Sequence, residues 1–125
     1  MASGFVDHLA DVMADFGGIS FRPMFGGHGV YRGGIMIGLV VYETLYLKAD
    51  DASVPLFAAE GLGPFVYEGK GKPVSMSYWR CPERCLDEPD EMRLWLDRAE
   101  AAARRAATAK AEKPSRKRKN PAASD

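Results

Sequence analysis

Apolar and β-branched residues dominate the segment from 30 to 48, which a glycine pair and a polar turn divide into three short runs. The central run, Ile35 to Tyr42, is apolar at nearly every position. Strict alternation divides it into two sets: Ile35, Ile37, Leu39 and Val41 on one side, and Met36, Val40 and Tyr42 on the other. Since both sides are apolar, we predict a central strand of a sheet, covered on one face and partly shielded on the other.

Glycines and polar residues mark the connections between these runs. Gly33-Gly34 and Glu43-Thr44 are the predicted turns, so the three strands form an antiparallel meander. Upstream, Pro23 and Gly26-Gly27 break the chain, and Gly29 is a position open to positive φ. This cluster favours a bulge or a tight connection between strands.

Three helices and two further strands complete the pattern. Apolar spacings of three and four predict helices over 5–16 and 52–60 and a third that starts at Asp87. β-prone runs predict strands at 65–67 and 74–79. The order is α-β-β-β-α-β-β-α, with Ile19-Ser20-Phe21 as a candidate start of the first strand. Hairpin-length connections predict an α+β fold of two layers, a five-stranded antiparallel sheet with helices on one face. We expect six side chains to be substantially buried: Phe25, Leu39, Leu47, Phe65, Met76 and Trp95.

Length and charge divide the 125 residues into one domain, 1–108, and a basic tail, 109–125. Residues 1–103 carry 9 Lys and Arg against 15 Asp and Glu, a balance of −6, and residues 104–125 carry 8 against 2, a balance of +6. The tail has almost no apolar residues to bury, so we expect it to be disordered beyond about residue 111. The start of the chain lacks a secretory signal, and no apolar run approaches the ~20 residues of a membrane helix. We therefore expect a cytoplasmic protein.

Cysteine and histidine provide the candidate chemistry. Cys81 and Cys85 are four positions apart, which differs from the spacing of a zinc or redox CxxC motif. With His8 and His28 they are a weak candidate for zinc, and Cys81 beside His28 is a weak candidate nucleophile, since no orienting acid accompanies it. The Gly26–Gly29 loop has neither known phosphate-loop spacing nor a helix after it. We therefore expect no metal, no cofactor and no catalytic residue.

Two other clusters have structural interpretations. Four acidic residues begin the third helix, where capping and the helix dipole explain them: Asp87, Glu88, Asp90 and Glu91. Six aromatic residues on the strands are candidates for a base-stacking platform: Tyr31, Tyr42, Tyr46, Tyr67, Tyr78 and Trp79. Few Lys or Arg residues accompany them, and the domain is acidic, so packing in a core or an interface is favoured.

Four stretches resemble the N-terminal domain family of TfoX, also called Sxy, the bacterial competence regulator. They are RPMFGGHGVY at 22–31, LYLKAD at 45–50, GLGPFVYEGKGKPVSMSYWRCPE at 61–83 and LDEPDEMRLWLDRAEAAA at 86–103. The resemblance implies the same α+β fold, no catalytic residues, and action with the cyclic-AMP receptor protein at competence promoters. The regulator has a second, helical domain where this chain has its basic tail. The residues of the family motif are Arg22, Pro23, Met24, Phe25, Gly26, Gly27, Gly29, Tyr46 and Lys48.

These observations predict a non-enzymatic domain that acts by protein–protein interaction, with transcription and competence regulation as its setting. The expected partners are a second copy of the chain, since bare sheet edges invite pairing, and a transcription factor like the cyclic-AMP receptor protein. The alternative is a small ligand-binding domain or enzyme that uses the Gly26–Gly29 loop and Cys81.

The tail generates a prediction about weak, non-specific nucleic-acid binding. Its basic block consists of Lys113, Arg116, Lys117, Arg118 and Lys119. Four or five phosphate contacts would give a log–log salt dependence with a slope of roughly −4 and no sequence preference. Fluorescence anisotropy at two salt concentrations, comparing the full chain with one that ends at Ala111, measures this. Equal binding by both chains, or none by either at low salt, excludes a nucleic-acid role for the tail.

Overall fold

The computed structural model describes residues 4–24, 27–69 and 72–111, apart from the side chains of 67–76 and 111. Along the chain the elements are α1 (Gly4–Val12), β1 (Ile19–Met24), β2 (Gly27–Arg32), β3 (Ile35–Val41), β4 (Thr44–Lys48), α2 (Val54–Ala59), β5 (Pro64–Gly69), β6 (Lys72–Arg80), a 3₁₀ turn (Glu83–Leu86) and α3 (Pro89–Ala111). The predicted α+β class and antiparallel sheet are confirmed.

The sheet has six strands in the order β1-β2-β3-β4-β6-β5, all antiparallel, so the predicted number of five was wrong. The additional strand is β1, which pairs with β2 from Ile19 opposite Arg32 to Met24 opposite Gly27. Pro23 lies inside β1, and a proline has no N–H for a sheet ladder. β1 tolerates it because an edge strand needs partners on one side only.

Two connections differ from their predicted positions. The turn between β3 and β4 is Tyr42-Glu43, one residue before the predicted one, and both residues have positive φ, 50° and 57°. That conformation fits the twist of a two-residue hairpin, which Gly33-Gly34 also forms, as predicted. α1 ends at Val12, and a tighter turn follows in which the Phe16 N–H donates to the Met13 carbonyl at 3.0 Å.

One extra residue in β3 changes the alternation of side chains. Val30 lies opposite Gly38 but Tyr31 lies opposite Met36, so Ile37 has no counterpart on β2. Beyond a bulge of this kind, each side chain of the strand points to the side of the sheet opposite to the one that strict alternation predicts. Ile37 and Val40 both join the core beneath the helices, whereas Leu39, only 3% exposed, lies outside that core. The strict alternation predicted for Leu39 and Val40 was therefore wrong.

The core fills the space between the helices and one face of the sheet. Phe21, Val30, Gly38, Leu47 and Trp79 form one row across five strands of this face. Helix residues packed against the sheet include Leu9, Phe57, Met92, Trp95 and Leu96. The ring of Trp95 lies 4.9 Å from that of Phe57. Of the six side chains predicted to be buried, Leu39, Leu47 and Trp95 are at most 3% exposed and Phe65 is half-buried. Phe25 and the Met76 side chain lie outside the described residues.

Arg32 joins three elements at one end of the core. Its guanidinium donates to the carbonyls of Phe16 and Gly17 after α1, at 3.3 and 3.0 Å, and to Glu100 on α3 at 2.5 Å. It also lies over the Phe16 ring, 4.2 Å from the centroid. Further along α3, Arg105 pairs with Asp50 at 2.6 Å, which fixes the helix to the segment before α2.

Replacing Trp95 by Ala should lower the free energy of unfolding by ~3–5 kcal/mol, because a large side chain that is 2% exposed leaves a cavity. Urea unfolding measures this. Leu94, the adjacent residue on α3, is 41% exposed, and Leu94→Ala should cost less than about 1 kcal/mol. A loss below about 1 kcal/mol in Trp95→Ala would remove Trp95 from the core.

Stability in acid should depend on Arg105. Its hydrogen bond lowers the pKa of Asp50 from 3.8 to about 2, although partial burial opposes this. Because the folded pKa is below the unfolded one, the contact stabilises the fold above pH 3.8 and is lost as pH falls towards 2. Because the Arg105 side chain is 50% exposed, solvent screens the pair, and Arg105→Gln should cost no more than about 1 kcal/mol at neutral pH. The difference in unfolding free energy between this variant and the native chain should disappear as the pH falls from 7 to 2. Equal stability of the two at neutral pH would contradict a stabilising role for the contact between Arg105 and Asp50. Arg93→Gln, on the same helix, is the control.

Candidate functional site: the outer face of the sheet

The side of the sheet away from the helices carries one row of residues from five strands. Arg22, Gly29, Leu39, Tyr46 and Arg80 lie opposite one another on β1, β2, β3, β4 and β6. Residues directly opposite in antiparallel strands point to the same side, so these five share a surface. We call it the outer face, and it also includes Tyr31, Lys48, Phe65 and Tyr78.

Aromatic rings surround the centre of the outer face. Tyr46 and Phe65 contact each other edge to face, with ring centroids 5.0 Å apart and planes at 60°. Tyr31 and Tyr78 are half-buried. Leu39 lies in the middle of the row, and among the described residues no helix residue joins it in a core. Its 3% exposure therefore results from neighbouring side chains of the outer face itself.

Burial raises the pKa of the Tyr78 hydroxyl, and the neighbouring Tyr31 raises it further. The two residues come from β2 and β6, which are separated by β3 and β4. The electrostatic influence of Tyr31 on Tyr78 therefore acts across the two middle strands. At neutral pH the Tyr78 hydroxyl keeps its proton and can both donate and accept a hydrogen bond.

Three cations accompany the rings. The Arg22 guanidinium lies 4.6 Å from the Tyr31 centroid, and Lys48 Nζ lies 5.2 Å from that of Tyr78 and donates to Ser77 Oγ at 2.7 Å. Arg80 is exposed at the end of the row. Within the described part of the chain, none of these three forms an ion pair with a carboxylate. The arginines of four ion pairs on other surfaces each have a carboxylate within 2.9 Å: Arg32, Arg84, Arg104 and Arg105.

Gly29 provides the space that the outer face needs near β1. A Cβ atom at this position would lie 2.8 Å from both Met24 Cε and Tyr31 Cε1. The φ of Gly29 is not positive, so the predicted reason for this glycine was wrong. Position 29 favours glycine because the side chains of Met24 and Tyr31 occupy the space that a Cβ atom would need.

Comparison with protein families matches residues 11–103 to the TfoX N-terminal domain. The chain belongs to the TfoX N-terminal domain family. Every residue assigned to the outer face lies within the matched span. No curated protein matches the chain.

Several residues of the TfoX motif thus meet on one surface although they come from separate strands. Arg22, Gly29, Tyr46 and Lys48 lie on the outer face, and Met24 covers Gly29. Pro23 and Gly27 belong to the pairing of β1 with β2, and Phe25 and Gly26 lie outside the described residues. Sequence reasoning missed Leu39 and Arg80 as members of this surface, since only the register of β3 and β6 places them there.

The fold of this TfoX domain does not bring the candidate nucleophile Cys81 close to His28. His28, Val40 and Leu45 lie opposite one another, and the Cys81 N–H donates to the Leu45 carbonyl. Cys81 and His28 are therefore three strand spacings apart, about 14 Å. A hydrogen bond with Cys85 and burial raise the pKa of the Cys81 thiol well above its ordinary value. A protonated, buried thiol is a poor nucleophile.

The other candidate sites of the sequence are also separated or outside the described residues. Where the structure describes the chain, no group of three potential metal ligands occurs, and His8 Nε2 instead hydrogen-bonds the Leu86 carbonyl. Gly27 and Gly29 are paired strand residues. Trp79 faces the helices and Tyr42, 94% exposed, lies in a turn, so only part of the proposed aromatic platform forms. The Tyr67 side chain and the tail cations, Lys113, Arg116, Lys117, Arg118 and Lys119, are not described.

A shallow cavity of about 580 Å³ between α1 and the 3₁₀ turn offers little chemistry. Phe5, His8, Glu83, Arg84, Leu86 and Asp87 line it. Arg84 is already held by Glu60 and Glu91, at 2.9 Å each. In the described part of the chain, no helix is long and apolar enough to cross a membrane.

Proposed function

We propose that this TfoX N-terminal domain is a non-enzymatic cytoplasmic module that acts by binding a protein partner through the outer face. The observation that carries the proposal is the row from Arg22 to Arg80, in which a buried leucine and aromatic rings lie between cations. Tyr and Arg are enriched in protein–protein interfaces, and their side chains dominate binding energy when a partner desolvates them.

The architecture supports a binding role for this surface. Each residue of the row is held in a sheet ladder, while the described helix residues of the core pack on the opposite side. The row thus forms a preorganised platform whose backbone need not be ordered again on binding. Preorganised platforms bind protein surfaces at a low cost in conformational entropy.

Transcription and competence regulation is the proposed setting, and membership of the TfoX N-terminal domain family supports it. The resemblance to the competence regulator suggests a transcription factor of the cyclic-AMP receptor protein type as partner. The basic block at 113–119 would add phosphate contacts near DNA once such a complex forms.

Variants of the outer face test the interaction. Arg22→Ala removes an exposed cation, and Tyr46→Ala removes the ring beside Leu39 in the row. Tagged chains carrying either substitution should retain a specific partner from extracts of the native cell at least tenfold less well than the native chain. Arg93→Ala is the matched control, because Arg93 is exposed on α3 and has no ion pair among the described residues. Quantitative mass spectrometry measures retention, and thermal melts establish that each variant folds.

Two results would reject this proposal. The first is a partner retained equally by all variants, since its binding would not involve the outer face. The second is a saturable thermal shift with a nucleotide, a metal ion or a thiol reagent that His28→Ala or Cys81→Ser abolishes. That result would favour the small ligand-binding domain or enzyme instead.

A further inference from the structure

We infer that the outer face accepts an acidic segment of a partner protein, in which carboxylates flank an apolar centre. This inference rests on the proposed function and specifies the chemistry of the partner. It depends on the spacing of the cations, on their lack of ion pairs among the described residues, and on the contacts that the aromatic rings already make.

The spacing of the cations follows from the sheet register. Arg22 on β1 and Arg80 on β6 are separated by four strand steps, so their Cα atoms lie about 19 Å apart. Leu39 and Tyr46 occupy the same row between them. Lys48 lies two residues beyond Tyr46 on β4, about 7 Å along the strand. A ligand that covers the apolar centre therefore has a cation at each end and a third at its side.

Covering this surface has an electrostatic consequence. Arg22 and Arg80 are exposed, and among the described residues neither has a carboxylate partner. A partner with apolar groups alone would remove water from both guanidiniums without replacing its hydrogen bonds, which is strongly unfavourable. Carboxylates remove this cost, because each accepts two parallel hydrogen bonds from a guanidinium. The partner must therefore contribute acidic groups at both ends.

A second copy of the chain fits this surface poorly. The described outer face contributes three cations and no ion pair, so two outer faces in contact would bring six like charges together. Like charges buried without counterions oppose association. An edge-to-edge dimer would leave the outer face open and does not compete with this inference.

Single-stranded nucleic acid also fits poorly, although it is anionic. Bases need open ring faces on which to stack. Arg22 and Lys48 already cover the rings of Tyr31 and Tyr78, and the 60° angle between Tyr46 and Phe65 prevents both rings from stacking in parallel on neighbouring bases.

Peptide selection tests the inference. A displayed library of random 12-residue peptides is panned on the immobilised full chain, on Arg22→Glu/Arg80→Glu, and on Arg93→Glu/Lys110→Glu. The last variant has the same charge change at exposed positions of α3. The native chain and this control should enrich peptides with acidic residues on both sides of apolar ones. Arg22→Glu/Arg80→Glu should lose them and enrich peptides with Lys or Arg, and a thermal melt establishes that this variant folds.

Binding of the enriched peptides to the chain in solution then distinguishes this inference from its alternatives. Replacing both flanking carboxylates of an enriched peptide by amides should weaken its binding at least tenfold in fluorescence anisotropy. Enriched peptides that lack acidic residues but lose binding to Tyr46→Ala would overturn this inference and leave the proposed function intact. Absence of any peptide or protein that depends on the outer face would overturn both.

Two further results would assign the surface to another occupant. Binding of an oligothymidylate that is lost in Arg22→Glu/Arg80→Glu would identify nucleic acid. A dimer in sedimentation at tens of micromolar that the same substitutions abolish would identify a second copy. Either outcome overturns the inference.

Discussion

The two faces of the sheet acquire their different chemistry from one bulge in β3. Ile37 is the extra residue, and it lets Ile37 and Val40 both pack beneath the helices. The same inversion turns Leu39 to the other side, where Tyr46 and Arg80 lie in its row. Without the bulge, Leu39 would enter the core and Val40 would occupy the centre of the outer face. A shorter, β-branched side chain there would leave a different surface between the two arginines.

Local patterns were sufficient to predict the class of the fold. The three helices follow from apolar spacing and from cap residues, and the five strands from β2 to β6 follow from β-prone runs between glycines or polar turns. β1 was underestimated because Pro23 is a strand breaker in most positions, and its tolerance depends on β1 being at an edge. Edge position is a property of the whole sheet and cannot be read from local sequence.

The candidate site was less predictable for the same reason. Arg22, Gly29, Tyr46 and Lys48 were recognised as motif residues from a resemblance, but nothing local indicated that they share a face. Their common surface results from the register of five strands, including a pairing of β4 with β6 across 32 residues of chain from Leu47 to Trp79. The requirement for glycine at position 29 could not be predicted either, since the side chains of Met24 and Tyr31 come together over it only in the folded sheet.

The length of α3 determines how its last two turns are held. Its buried residues end at Ala103, while the helix continues to Ala111, about 12 Å further. Two ion pairs hold the start of this stretch, Arg104 with Glu100 and Arg105 with Asp50. The end of α3 is therefore the part of the helix whose order responds to salt concentration, since salt screens solvent-exposed ion pairs and leaves buried apolar contacts in place.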